Sequence, residues 1–213
     1  MSNVILFGGH GKVALLATRI LSERGHTVTS VIRNPDQSDD VRAHGGSPLV
    51  ADIEQQTLAE FQELIAGHDA VVWSAGAGGG SAERTYAIDR DAAVLTVQAA
   101  ARAGVRRYVM VSWSGSVLDH GVPQADDFFA YAQSKYVADA VVRDSGLDWT
   151  IVAPSTLTDD EPTGRIGWDG SSSQVPRGDV AHVVADVVED PSTAGRTVRF
   201  NAGDTEIATF LGA

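Results

Sequence analysis

Val4-Ile5-Leu6-Phe7-Gly8-Gly9-His10-Gly11-Lys12-Val13-Ala14 is the stretch on which the fold turns. It opens with a short apolar run, breaks at a glycine cluster, and resumes with Val13, Leu16, Ala17, Ile20 and Leu21 on one helical face. That order is strand, tight turn, helix. Within the turn, Gly9-x-Gly11-x-x-Ala14 has the spacing of a dinucleotide fingerprint. Glycines let the backbone turn sharply and approach a pyrophosphate, while a small residue at Ala14 lets the helix lie close to the sheet. The helix N-terminus adds free amides and partial positive charge. Gly8, Gly9, His10, Gly11, Lys12 and Val13 are therefore candidate cofactor residues. The side chains of His10 and Lys12 either line this loop or project into solvent.

Outward from this turn, strand-like and helix-like periods alternate. Strands are expected at 27–32, around 48–51, and at 70–73, 108–112 and 149–152. Helices are expected at 13–24, more weakly at 36–44, then at 58–65, 83–103 and 127–144. Gly104 stands where a C-cap glycine belongs. Strands apolar on both faces and separated by helices indicate an α/β fold with a covered parallel sheet. Right-handed crossovers make this a doubly wound (Rossmann) arrangement of strand order 3-2-1-4-5-6. After residue 155 the pattern loosens. Residues 156–175 read as loop with little regular structure, followed by a helix at 179–189, a strand at 197–200 and a short terminal helix. The expectation is a single domain, 1–213, with a cofactor-binding core at 1–155 and a loop-rich, substrate-side C-terminal cap at 156–213.

The chain has 213 residues, 43% hydrophobic and 21% charged, as in ordinary soluble domains. It has no cysteine, which excludes disulfides, thiolate metal sites and cysteine nucleophiles. The N-terminal apolar run lacks a basic leader and stops at Gly8, so a cytoplasmic protein is expected. A net charge of −12 repels phosphate backbones and anionic lipid, which speaks against nucleic-acid and membrane partners. Asp159-Asp160-Glu161 reads as a solvated loop, and the six histidines show no metal-ligand spacing. No metal is expected.

The second strand ends in Ile32-Arg33-Asn34-Pro35, where the ribose-recognising residue belongs. An NAD-selective site wants a carboxylate there, yet no acidic residue lies between Glu23 and Asp36. Arg33 offers a planar cation suited to a 2′-phosphate. NADP(H) is thus the preferred cofactor, with NAD(H) the alternative, and Arg33 and Asn34 join the candidates. Asp52 and its neighbour Ile53 follow the third strand. Asp52 is placed either to meet the adenine amine or to cap a helix starting near Glu54.

These residues resemble the short-chain dehydrogenase/reductase superfamily, in its small atypical branch of NmrA-like and flavin/biliverdin-reductase-like proteins. The marks are the Gly8–Ala14 turn, Val31-Ile32-Arg33-Asn34-Pro35, Ala75-Gly76-Ala77, the run Ala103-Gly104-Val105-Arg106-Arg107-Tyr108-Val109-Met110-Val111-Ser112, and Gly178-Asp179-Val180-Ala181. The resemblance covers nearly the whole chain. It implies that Ala75, Gly76 and Ala77 pass beside the adenosine ribose and pyrophosphate, and that Pro154 and Ser155 touch the nicotinamide. Relatives often carry arginine before that proline, whereas this chain has Ala153. Arg177, before Gly178, is implied to brace the tail against the core.

Tyr131-Ala132-Gln133-Ser134-Lys135 matches Tyr-x-x-x-Lys, a spacing that puts both side chains on one helical face. A phenol is a poor acid at neutral pH, and a nearby ammonium stabilises its phenolate. The lysine can also hydrogen-bond the nicotinamide ribose. A serine after the fifth strand would hold the substrate oxygen, Ser114 first and Ser112 second. Against this, an aromatic beside a lysine on an amphipathic helix also arises by chance. The expected activity is an NADPH-dependent oxidoreductase acting on a small carbonyl, quinone or flavin-like acceptor. The alternatives are a non-catalytic NADP(H)-binding redox sensor of the NmrA-like type and, less favoured, a sugar-nucleotide epimerase or dehydratase. The substrate would be framed by a glycine lip at 78–81, Trp113, and the loops 116–128 and 156–175. Trp113, Phe128, Phe129 and Trp168 form an aromatic pocket or belong to the core. The partner is a small-molecule substrate, and the chain is a monomer or a homodimer.

Overall fold

The structure, a computed structural model, describes residues 1–79 and 81–212, so Gly80 of the glycine lip lies outside the described residues. In chain order the elements are β1 (Asn3–Phe7), α1 (Lys12–Glu23), β2 (Thr27–Ile32), α2 (Ser38–Ala43), β3 (Ser47–Val50), α3 (Leu58–Ile65), β4 (Ala70–Trp73) and α4 (Ala82–Thr85). A π-helical stretch, Tyr86–Ala92, joins α4 to α5 (Ala93–Ala103). Then come β5 (Arg107–Val111), α6 (Phe129–Asp144), β6 (Asp148–Pro154), β7 (Thr156–Thr158), β8 (Arg165–Gly167) and β9 (Gln174–Pro176). α7 (Arg177–Glu189), β10 (Arg196–Ala202), β11 (Thr205–Glu206) and α8 (Ile207–Leu211) complete the chain.

The main sheet runs β11-β8-β10-β6-β5-β4-β1-β2-β3. Its β3-β2-β1-β4-β5-β6 part is parallel and has the order expected from sequence. Successive side chains of a strand face opposite sides, and both sides are covered. Val4 and Leu6 of β1, with Val72 and Val109, pack against α1 and α7. Ile5 and Phe7, with Trp73, Tyr108 and Met110, pack against α3, α5 and α6. This two-sided burial explains the continuous apolar runs.

Local signals set the element ends. Thr57 and Glu60 form a reciprocal capping box at the start of α3. Gly104, with φ of 75°, closes α5 in the left-handed conformation that glycine adopts without strain.

The segment after 155 differs from its expectation. Residues 156–175 are not plain loop: β7 pairs with β9 in a separate parallel ribbon, while β8 pairs antiparallel with β10 and β11. Three-residue strands carry too little alternation to read from sequence. This segment also enters the central layers, since β10 extends the sheet alongside β6 and α7 packs on α1. Arg107 stitches the two parts together, donating to the carbonyls of Val187 and Asp148 and to the hydroxyls of Thr150 and Thr193. Among the described residues, no helix is long and apolar enough to cross a membrane.

Candidate active site

The chain leaves β1, builds β2 and β3 on one side, then crosses to β4 on the other. Such a switch point opens a crevice beyond the strand ends. Here it is a cleft of 280 Å³ lined by the β1–α1 turn, the ends of β2 and β3, and the turn after β4. The turn is shaped for close approach. Gly8 has φ of +80°, and a Cβ there would come within 2.6 Å of the Ala75 backbone. A Cβ on Gly9 would come within 2.6 Å of the Ser30 side chain. Gly11 caps α1 without any side-chain bond, and the first turn of α1 holds no acidic residue. Its amides are thus free to receive an anion.

Gly8, Gly9, His10, Gly11, Arg33, Asn34, Asp52, Ile53, Ala75 and Gly76 all line this cleft. Arg33 is exposed and, among the described residues, has no carboxylate within ion-pair distance. Asn34 accepts from the Asp36 amide at 3.0 Å, and Asp52 accepts from the Glu54 amide at 3.2 Å. Asp52 therefore closes a turn; the helix that follows begins only at Leu58 and is capped by Thr57. His10 Nε2 lies 2.8 Å from Asp40 Oδ2, tying the loop to α2.

Other candidates are elsewhere. Lys12 points out of the cleft, its ammonium 2.7 Å from Asp159, which also pairs with Arg177 at 2.7 Å. Arg177 thus braces the tail to α1 through Asp159. The Val13 side chain is buried in the core, leaving only its backbone near the turn. Arg84 lines the cleft and was not singled out from sequence; it donates to the Ala77 carbonyl at 2.8 Å and to Glu54 at 3.3 Å.

A second cavity, of 740 Å³, adjoins the first at Gly76 and contains Ala77 and Tyr131 in its walls. Tyr131 is half-buried, with the Lys135 ammonium 5.6 Å from its ring centre. Lys135 is almost wholly buried and lies 3.3 Å from Asp89 Oδ1. Asp89 in turn accepts from the Ala77 amide at 2.9 Å, so one carboxylate joins the lysine to the turn after β4. Burial pulls the Lys135 pKa down, but Asp89, Tyr131 and Asp139 outweigh it and leave the group above its ordinary range. Burial raises the Tyr131 phenol; Lys135 opposes this, while Asp89 and Asp139 add to it. The phenol is therefore held protonated at neutral pH.

Neither predicted serine is among the residues lining this cavity. Ser112 donates to the buried Asp139 Oδ2 at 2.7 Å, and Ser116 donates to the same oxygen. That commitment takes Ser112 away from a substrate oxygen. The Ser114 hydroxyl lies 2.7 Å from that of Ser172 and 3.3 Å from that of Ser155, which bonds to Asn201. Pro154 accepts from the Ser114 amide. Ser114, Pro154 and Ser155 thus form a polar seam that anchors the 171–173 loop. Trp113, Phe128 and Tyr131 cluster, with ring centres 5.0 Å apart for Trp113–Phe128 and Phe128–Tyr131. Phe129 meets His120 edge-to-face, and Trp168 is half-buried on the β8 side.

The family described as NAD(P)H-binding matches residues 8–191. A UPF0659 protein of Schizosaccharomyces pombe is 35% identical, covering 78% of this chain and 75% of that protein. A solved Bacillus halodurans protein, named as a candidate NAD-dependent epimerase/dehydratase, is 34% identical over 99% of both chains with a TM-score of 0.91. The oxidoreductase ylbE of Lactococcus lactis is 27% identical, covering 98% of this chain and 94% of its own, with a TM-score of 0.87.

Proposed function

Because the chain belongs to the NAD(P)H-binding family, we propose that it is an NADPH-dependent reductase of a small carbonyl, quinone or flavin-like acceptor. One observation carries this reading: Tyr131, backed by Lys135, lines a cavity that adjoins the dinucleotide cleft at Gly76.

The residues of the cleft fit the cofactor. A glycine cradle that excludes side chains and the uncapped start of α1 suit a pyrophosphate. Arg33, free of a carboxylate partner among the described residues, would meet a 2′-phosphate, which favours NADPH over NADH. The bound cofactor would supply the hydride.

The chain's own residues manage the proton. Tyr131 keeps its phenol protonated and would donate that proton to the acceptor oxygen. Lys135, held charged beside Asp89, would stabilise the phenolate left behind. Phe128 and Tyr131, packed with Trp113, would give the acceptor an apolar wall. An epimerase, the activity in the name of the Bacillus halodurans relative, would need cations for the diphosphate if it acted on a sugar nucleotide. Among its described lining residues the second cavity has none.

The test is NADPH oxidation by purified protein across carbonyl, quinone and flavin acceptors, with Tyr131→Phe alongside. The variant should bind NADPH as the wild type does while kcat falls by about 10²–10⁴. Unchanged turnover would remove Tyr131 from the chemistry, and binding without any turnover would favour a sensor.

A further inference from the structure

The walls of the second cavity carry more information than its size. Asp126 and Asp127 contribute exposed carboxylates, Asp89 lies buried and paired with Lys135, and Tyr86, Phe128 and Tyr131 contribute aromatic rings. Among its described lining residues there is no lysine, arginine or histidine.

The cations nearest by are already engaged. Lys135 is paired with Asp89. Arg90 lies over the Tyr86 ring at 4.8 Å and holds Asp91 through two bonds of 2.6 and 3.0 Å. Arg84 is bound to Glu54 and the Ala77 carbonyl. The start of α6 also faces this space, but Asp126 occupies it, accepting from the Phe128 amide at 2.8 Å through its carboxylate and from the Phe129 amide at 2.9 Å through its carbonyl. An incoming anion therefore meets carboxylates and committed donors. A flat uncharged ring meets aromatic faces.

We infer that the acceptor is an uncharged planar ring compound of the quinone class, and that molecules bearing phosphate, sulfonate or carboxylate groups are excluded from this cavity. The inference rests on the reductase reading of the same site and narrows its substrate. The cavity of 740 Å³ is within the size range of small-molecule sites. In the reaction the quinone gains a hydride equivalent from NADPH and a proton from Tyr131. Together these complete the hydroquinone, and a proton from solvent then restores the Tyr131 phenol.

The test compares naphthoquinone with its ring sulfonate, which carries a fixed negative charge. Binding of each is measured by calorimetry on full-length protein saturated with NADP+, and turnover is measured with NADPH. The neutral quinone should be favoured about tenfold in both, an effect of the size expected from the two nearby carboxylates of Asp126 and Asp127 in water. The preference should shrink in high salt and in Asp127→Lys, since Asp127 is exposed at the rim. Equal binding of the two, preference for the sulfonate, or binding of neither overturns the inference. Selective binding of the neutral quinone without NADPH oxidation would leave the inference standing and bring down the reductase reading instead.

Discussion

Lys135 Nζ lies 3.3 Å from Asp89 Oδ1, and both side chains are buried. The pair joins α6, which carries Tyr131, to the π-helical stretch, and through the Ala77 amide to the turn that borders the cofactor cleft. A buried ammonium without a partner is costly. Asp89 therefore keeps Lys135 charged, and it simultaneously pushes the Tyr131 phenol upward. The second effect favours a tyrosine that arrives at the reaction carrying its proton, and the first supplies the charge that stabilises the phenolate once the proton has left.

The first prediction concerns that carboxylate. With the phenol raised above its ordinary value, reductive turnover should hold steady through neutral pH and fall only as pH climbs through the Tyr131 pKa, above about 10. Asp89→Asn removes both a group that raises the phenol and the partner that keeps Lys135 charged, so the alkaline limb of the pH–kcat profile should move. Melting temperature should also drop, because breaking a buried pair costs about 3–5 kcal/mol. A pH–kcat profile identical to wild type would exclude Asp89 from this role.

The second prediction concerns cofactor choice. Hydrogen bonds to charged groups contribute about 1.5–3 kcal/mol, so Arg33→Gln should weaken NADPH binding roughly 10- to 100-fold. NADH, which lacks the 2′-phosphate, should be affected about twofold or less. Calorimetric titration of both cofactors against both proteins decides this. Parallel losses for NADH and NADPH would show that Arg33 does not read the phosphate.

A third prediction follows from Asp139, which accepts from Ser112 and Ser116 and is fully buried. Burial raises its pKa, with Ser116, Ser112, Lys135 and Arg143 pulling the other way. The folded state thus keeps this proton to a higher pH than the unfolded chain does. Stability from this site is full below about pH 4 and declines as pH rises through the folded pKa. Asp139→Asn accepts from the same serines without ionising. Its melting temperature relative to wild type should rise as pH climbs above about 4. A difference that stays constant over that climb would show that Asp139 does not titrate with folding.

Much of this was legible in the sequence because it depends on local rules. The Gly9-x-Gly11-x-x-Ala14 spacing, the strands at 27–32 and 70–73 and the helix at 58–65 are where the structure has them. The strand order followed from crossover handedness. What escaped depends on contacts remote in sequence. Asp89 was hidden because the stretch Tyr86–Ala92 winds as a π-helix, which shifts the phase of a helix read at the ordinary period. Asp139 left a readable trace. Tyr131, Lys135, Asp139 and Arg143 repeat every four residues along α6, and the repeat points to one face. The fate of the serine hydroxyls was not readable, since Ser112 is claimed from 27 positions away and Ser114 from 58.

The central claim is that the β1–α1 turn seats a nicotinamide dinucleotide, and calorimetry with NADPH on the purified chain tests it most directly. Saturable binding at one site per chain is expected, abolished in Gly9→Val, where the added side chain would collide with Ser30. Absence of binding heat for both NADPH and NADH, in protein that melts cooperatively, would contradict the account.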